Sequence, residues 1–188
     1  DKGVLANCHV NVLQTQDHPQ FKTYAEELKW LTTDTTRMTW IANTIKDIAT
    51  SGNTLILVDR ISAGQMLEKK IKDSVFVSGS TKNVDRKEQY DEVSTATNKV
   101  IIATYGVASV GINIPRIFNL VLIEPGKSFV RVIQSIGRGI RKAEDKENVQ
   151  IWDITSSCKF AKRHLGARKK FYKEANYPYN IELSLIHI

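Results

Sequence analysis

Apolar residues from position 54 onward follow two alternating patterns. Short, almost continuously apolar runs rich in Val and Ile are typical of strands buried on both faces, and they occupy residues 54–58, 75–77, 100–103, 120–123 and 149–154. Stretches with apolar positions at helical spacing lie between them, at residues 63–72, 86–94 and 129–138. This alternation over short connections predicts an α/β domain with a mostly parallel β-sheet sandwiched by helices.

The first 50 residues follow a different pattern. An extended strand is predicted at residues 8–15 and a short helix at residues 21–31. A third stretch predicts a core-facing helix that ends before Gly52, because its apolar residues recur at helical spacing: Met38, Ile41, Ala42, Ile45 and Ala49. We expect residues 1–50 to form a lead-in segment that packs on a core at residues 51–155.

Residues 156–188 are expected to form a basic helix followed by a tail. Residues 159–173 hold no acidic residue and seven basic ones, which account for the whole net charge of +7: Lys159, Lys162, Arg163, Arg168, Lys169, Lys170 and Lys173. The predicted apolar seam of this helix contains Phe160, His164, Ala167, Phe171 and Ala175. Pro178 ends the helix, and residues 181–188 add an edge strand or a docking tail.

Composition narrows the class of protein. The chain is 41% hydrophobic and 25% charged, which is ordinary for a globular domain. Its apolar runs fall far short of the roughly 20 residues that cross a bilayer, so we expect no membrane span. The expected location is cytoplasmic. Cys8 and Cys158 lack metal-ligand or disulfide spacing, so free thiols and no metal site are expected. Since the chain begins without Met, we expect it to be a piece of a longer protein.

The most informative segment is residues 134–141. Gln134, Arg138 and Arg141 are related as i, i+4 and i+7 and therefore share one helix face. Two arginines one turn apart can grip a terminal phosphate through their guanidinium forks. Gly137 and Gly139 each cost a helix about 1 kcal/mol, which the close approach of a ligand or second domain would explain. Without such a ligand, the segment would be a basic surface helix.

Polar and glycine residues follow the predicted strands. The loops begin at Asp59, Ser78, Thr104 and Glu124, and in a parallel sheet these positions share the edge where ligands bind. Backbone N–H groups there could hold phosphates.

These motifs, in this order, resemble the second RecA-like lobe of a superfamily 2 helicase. Residues 55–60 resemble motif IV, Ser78-Gly79 with Asp85-Arg86 the element after it, and residues 103–115 motif V. Residues 134–141 match the motif VI pattern Q-x-x-G-R-x-x-R. The resemblance covers roughly residues 50–155 and is strongest to the phage recombination and branch-migration helicases.

The resemblance implies a role for each matched residue. Arg138 and Arg141 would be arginine fingers for the γ-phosphate of ATP, and Gln134 would help to place that phosphate or its attacking water. Nucleotide and lobe-interface positions would be Gly111, Asn113 and Gly137. Nucleic-acid contacts would be Thr104, Ser78, Gly79 and Arg86. Asn113 stands where the commoner pattern has aspartate, and it keeps a hydrogen-bonding oxygen but loses the charge. Arg86 could equally form a salt bridge at the start of its helix.

Lys169 and Lys170 are separate candidates on the basic helix. They either contact nucleic-acid phosphates or belong to a merely solvated face.

The sequence contains no G-x-x-x-x-G-K-[ST] phosphate loop and no D-E-x-[DH] magnesium motif. The resemblance therefore implies that ATP and Mg²⁺ are bound mainly by an N-terminal lobe outside this sequence, and that this chain alone is inactive. The expected partners are that lobe and DNA, branched or at single-strand/duplex junctions. Two alternatives remain: an RNA-directed helicase lobe of the same superfamily, and a non-catalytic nucleic-acid-binding module.

Overall fold

The computed structural model describes residues 8–79, 81, 83–93, 96–110, 116–127, 129, 131–134 and 149–187. Its strands are β1 (Cys8–Gln16), β2 (Thr54–Val58), β3 (Val75–Val77), β4 (Val100–Thr104), β5 (Asn119–Ile123), β6 (Val149–Ser156) and β7 (Tyr179–His187). Its helices are α1 (Tyr24–Thr33), α2 (Thr35–Ala49), α3 (Ile61–Lys70), α4 (Asn83–Val93), α5 (Tyr105–Ser109) and α6 (Lys159–Glu174). Residues 131–134 are also helical.

The strands form one seven-stranded sheet in the order β3-β4-β2-β5-β6-β1-β7. Each neighbouring pair within this sheet is parallel. Strand β2 lies near the middle, where Ile56 is paired with Ile102 of β4 and with Val121 of β5. The α/β architecture predicted from the sequence is confirmed, and the sheet is wholly parallel among the described strands.

Strand β1 lies inside the sheet, between β6 and the edge strand β7. Val10 is paired with Ile151 on one side and with Tyr179 on the other. Strands from all three predicted segments therefore build the same sheet, while the predicted boundaries at residues 50 and 155 stay an interpretation. Of the two alternatives for the C-terminal tail, the edge strand is confirmed.

Helices cover both faces of the sheet. Ile41 and Ile45 of α2 pack with Ile56 on one face, and Leu165 and Tyr172 of α6 pack with Leu57 on the other. The core-facing stripe predicted on α2 is buried throughout: Met38, Ile41, Ala42, Ile45 and Ala49. Among the described helices, none is long and apolar enough to cross a bilayer.

Capping residues explain where the helices begin and end. The Thr23 hydroxyl accepts from the Glu26 N–H, so α1 starts at Tyr24 rather than at residue 21. Helix α3 ends at Lys70, two residues before its predicted end, because Ile71 adopts an extended conformation. Gly52 follows α2 with a φ of 152°, a conformation that L side chains rarely adopt.

The buried face of α6 differs from the prediction. Its buried residues are Ala161, His164, Leu165, Arg168 and Tyr172, whereas Ala167 is exposed. Arg168 is not a surface cation, because its guanidinium pairs with Asp153 of β6 in the core. The basic surface of this helix is therefore one arginine smaller than its sequence suggests.

Candidate functional site

The polar loops predicted from the sequence lie along one edge of the sheet. Because the strands are parallel, their carboxyl ends meet at that edge, which we call the carboxyl edge. Ser78 follows β3, Thr104 ends β4 and Asp59 follows β2, and these three strands are neighbours in the sheet. Glu124, after β5, continues the row.

Arg86 of α4 fixes the backbone of the Ser78-Gly79 loop. Its Nη2 donates to the backbone carbonyl oxygens of Ser78, at 3.0 Å, and of Gly79, at 3.1 Å. The Ser78 N–H donates to the Thr81 hydroxyl at 3.0 Å, which closes the turn. A Cβ added at Gly79 would meet no atom within 4 Å, so the outer side of the loop is open to a ligand. The structure thus gives Arg86 a positioning contact with the loop backbone.

Thr104 joins β4 to α5. Its hydroxyl oxygen accepts from the Val107 N–H at 3.2 Å as the helix N-cap, which leaves its own hydrogen to donate. The Tyr105 hydroxyl donates to the Ile123 carbonyl oxygen at 2.9 Å, which links this turn to the end of β5. Gly111 and Asn113 lie outside the described residues.

Gln134 is exposed at the end of the helical residues 131–134, whereas Val132 and Ile133 are buried. The amide is therefore presented to solvent by a helix anchored in the core. Gly137, Arg138 and Arg141 lie outside the described residues, so their predicted roles stay predictions.

Lys170 is exposed on α6 and Lys169 is half-buried. At a helical rise of about 1.5 Å per residue, both lie roughly 15 Å further along the axis than Lys159. Since only two residues separate the end of β6 from the start of α6, Lys159 lies near the carboxyl edge and the lysine pair lies well away from it.

A buried ion pair between Arg37 and Glu124 lies next to the carboxyl edge and is not apparent from the sequence. Arg37 of α2 donates through Nη2 to Glu124 Oε2 at 2.9 Å and to the Thr155 carbonyl oxygen at 3.2 Å. Thr155 donates its hydroxyl to Glu124 Oε1 at 3.1 Å. Burial raises the pKa of Glu124 to about 7, against the lowering influence of Arg37, Arg168 and the Thr155 hydrogen bond.

The backbone N–H of Glu124 is also hydrogen-bonded within the fold. Its N–H donates to the Ile154 carbonyl oxygen at 2.9 Å, and its φ is 46°. The expectation that this loop offers a free N–H to phosphate is therefore wrong at Glu124, where the carboxylate and the N–H fasten β5 to β6 and α2.

Comparison with known proteins establishes the family. Residues 36–143 match the family described as the helicase conserved C-terminal domain, and the chain belongs to that family. This confirms the predicted helicase lobe and its RecA-like fold.

Two comparisons point to one phage helicase. The chain is 31% identical over 161 residues to the ATP-dependent DNA helicase uvsW of Enterobacteria phage T4, covering 83% of this chain and 32% of that protein. The crystal structure of T4 UvsW superposes with a TM-score of 0.81 at 23% identity, covering 96% of this chain and 42% of that one. The chain thus spans about a third of the length of its curated relative.

A third comparison bears on the fold alone. Dbp5 of S. cerevisiae bound to RNA and ADP BeF3 matches with a TM-score of 0.63 at 13% identity, covering 96% of this chain and 42% of that chain.

Proposed function

We propose that this chain is the second motor lobe of an ATP-dependent DNA helicase or translocase that remodels branched DNA by fork regression, branch migration and R-loop unwinding. The observation that carries the proposal is the arrangement of Ser78-Gly79 and Thr104 side by side on the carboxyl edge, in a chain that belongs to the helicase C-terminal family. The relation to a phage DNA helicase favours DNA and a role in recombination and repair.

The lobe contributes half of an ATP site. Arg138 and Arg141 act as arginine fingers on the γ-phosphate, and Gln134 helps to orient the phosphate or the attacking water. Gly111, Asn113 and Gly137 lie near the nucleotide and the interface between lobes. ATP and Mg²⁺ are held mainly by the first lobe, so turnover requires the two lobes to close.

The carboxyl edge contributes the DNA contacts. Thr104 donates its hydroxyl hydrogen to a backbone phosphate oxygen, and Gly79 allows the strand to approach the loop closely. Arg86 acts through the loop, because its Nη2 fixes the carbonyl oxygens of Ser78 and Gly79. Lys169 and Lys170 extend the positive surface along α6.

Three measurements test this function. In the full-length protein, ATP-dependent remodelling of a branched DNA should exceed unwinding of a linear duplex, and unlabelled DNA should compete better than RNA of the same sequence. Better competition by RNA would favour the RNA-directed lobe. The chain by itself should hydrolyse ATP with DNA only at background rate, and robust turnover would contradict the half-site account.

A further inference from the structure

Two aromatic side chains form a surface between the first turns of α1 and α6. Tyr24 is 37% exposed and Phe160 is half-buried. Their ring centroids lie 6.2 Å apart at an interplanar angle of 51°. Beneath them, His164 meets the Tyr24 ring edge-on at a centroid distance of 4.7 Å. Tyr24 is among the exposed large side chains of the described residues, although its ring is packed on two neighbours.

The position of this aromatic surface is fixed by the backbone around it. Glu27, one turn after Tyr24, is almost fully buried and accepts from the N–H groups of Phe160, at 3.0 Å, and Ala161, at 2.8 Å. This carboxylate locks the start of α6 to α1. A Cβ at Gly126 would lie 2.9 Å from the Tyr24 hydroxyl oxygen, so the glycine lets the ring rest against the loop after β5. The surface is therefore preorganised.

Basic side chains lie close to Phe160 and His164. Lys159 Nζ lies 5.4 Å and Arg163 Cζ lies 5.5 Å from the centroid of Phe160. Lys127 is exposed in the loop after β5, and burial together with Lys127, Arg168 and Arg163 lowers the pKa of His164. Lys127, Lys159 and Arg163 supply positive charge around Phe160 and His164, whereas Glu124, Asp59 and Glu27 place negative charge near the Tyr24 hydroxyl.

The aromatic surface lies near the carboxyl edge that carries Thr104. Only two residues separate β6 from α6, and Gly126 follows β5, which is the neighbour of β6. A cavity of about 760 Å³ adjoins it and shares Lys159, with Phe21 and Lys162 among its other lining residues. Exposed aromatic rings with interleaved cations and adjoining space are the chemistry that binds single-stranded nucleic acid, because bases stack on rings while cations hold phosphates.

We propose that Tyr24, supported by Phe160, is a stacking platform for an unpaired base of single-stranded DNA, and that Lys127, Lys159 and Arg163 bind the adjoining phosphates. The proposal rests on the proposed function, since it adds a single-strand contact to the same carboxyl edge. It differs from the contacts at Thr104 and at Lys169, which bind backbone and are indifferent to the base.

The test compares the 188-residue chain with its Tyr24→Ala and Tyr24→Phe variants in fluorescence anisotropy. The probes are a short oligothymidylate, an oligonucleotide of equal length made of abasic sites, and a duplex. Tyr24→Ala should weaken oligothymidylate binding roughly 5- to 150-fold, since stacking contributes about 1–3 kcal/mol per base. It should leave binding to the abasic strand and the duplex unchanged, and Tyr24→Phe should bind like the parent chain.

Equal affinity of Tyr24→Ala for oligothymidylate, or an equal loss on the abasic strand, would overturn the platform. Lys169→Glu/Lys170→Glu is measured alongside: its weaker binding to all three probes would uphold the proposed function even if the platform failed. Failure of the parent chain to bind any DNA would contradict both the stacking platform and the proposed function. In the full-length protein, a raised KM for ATP in Tyr24→Ala with unchanged DNA affinity would assign the ring to the adenine of ATP and contradict the DNA platform.

Discussion

Arg168 and Asp153 form a two-pronged ion pair in the core. Arg168 Nε donates to Asp153 Oδ2 at 2.8 Å and Nη2 donates to Oδ1 at 2.9 Å, with side-chain exposures of 2% and 0%. Arg168 Nη1 also donates to the Gly126 carbonyl oxygen at 3.2 Å. The pair ties α6 to β6 and to the loop after β5, so it supports the backbone next to Tyr24.

Removing one member of this pair should destabilise the fold strongly. Arg168→Ala leaves the Asp153 carboxylate buried without its counter-ion, a change that costs about 3–5 kcal/mol in the free energy of unfolding. Lys173→Ala, an exposed cation on the same helix, should change it by less than about 0.5 kcal/mol. Urea denaturation of both variants measures the difference. Equal urea midpoints for the two variants would contradict a stabilising role of the Arg168–Asp153 pair.

Glu124 should make stability depend on pH in an unusual direction. Its pKa rises from an ordinary 4.5 to about 7 in the fold, so between these values the folded state holds a proton that the unfolded state has lost. The Glu124 contribution to the free energy of unfolding therefore decreases as pH rises through this window, by at most about 1.4 kcal/mol per pH unit, and is constant above it.

Glu124→Gln isolates this contribution, because glutamine keeps an acceptor oxygen for Arg37 and does not titrate. The difference in unfolding free energy between parent and variant, measured by denaturant titration from pH 4.5 to 8, should shift towards the variant as pH rises. A pH-independent difference would contradict the raised pKa.

Lys169 and Lys170 should contribute to DNA affinity through phosphate contacts. Lys169→Glu/Lys170→Glu should weaken duplex binding and reduce the slope of log K against log salt by about 1–2, since each phosphate contact contributes about 0.9. The matched control is Lys69→Glu/Lys72→Glu, which makes the same charge change on exposed lysines at the C-terminal end of α3 and just beyond it. If both variants shift the slope equally, only net charge matters and the contact is rejected.

Most strands and helices were predictable from local sequence, because a buried parallel strand and a core-facing helix each have a characteristic spacing of apolar residues. The strand at Thr54–Val58 was predicted with its observed bounds, and the α2 stripe from Met38 to Ala49 is buried as expected. The Ser78 and Thr104 loops were predicted to share an edge, since parallel order alone brings the strand ends together.

Pairing across long sequence separations was not predictable. Nothing near Val10 indicates that its strand lies between two others about 140 and 170 residues away, since register is a tertiary property. The partner of Arg168 was not predictable either, because Asp153 lies on another element, β6. Glu124 shows the same limit, because its partner Arg37 comes from a helix far upstream.

The most direct test of the helicase lobe is DNA-stimulated ATP hydrolysis by the full-length protein carrying Arg138→Ala and Arg141→Ala. If these arginines complete an ATP site held by the other lobe, kcat should fall by about 10³-fold or more while ATP binding changes little. Lys69→Ala/Lys72→Ala removes the same charge at the C-terminal end of α3 and just beyond it, and should retain parental turnover. Intact ATP hydrolysis in the double-arginine variant would contradict the motor-lobe account and favour a module that only binds nucleic acid.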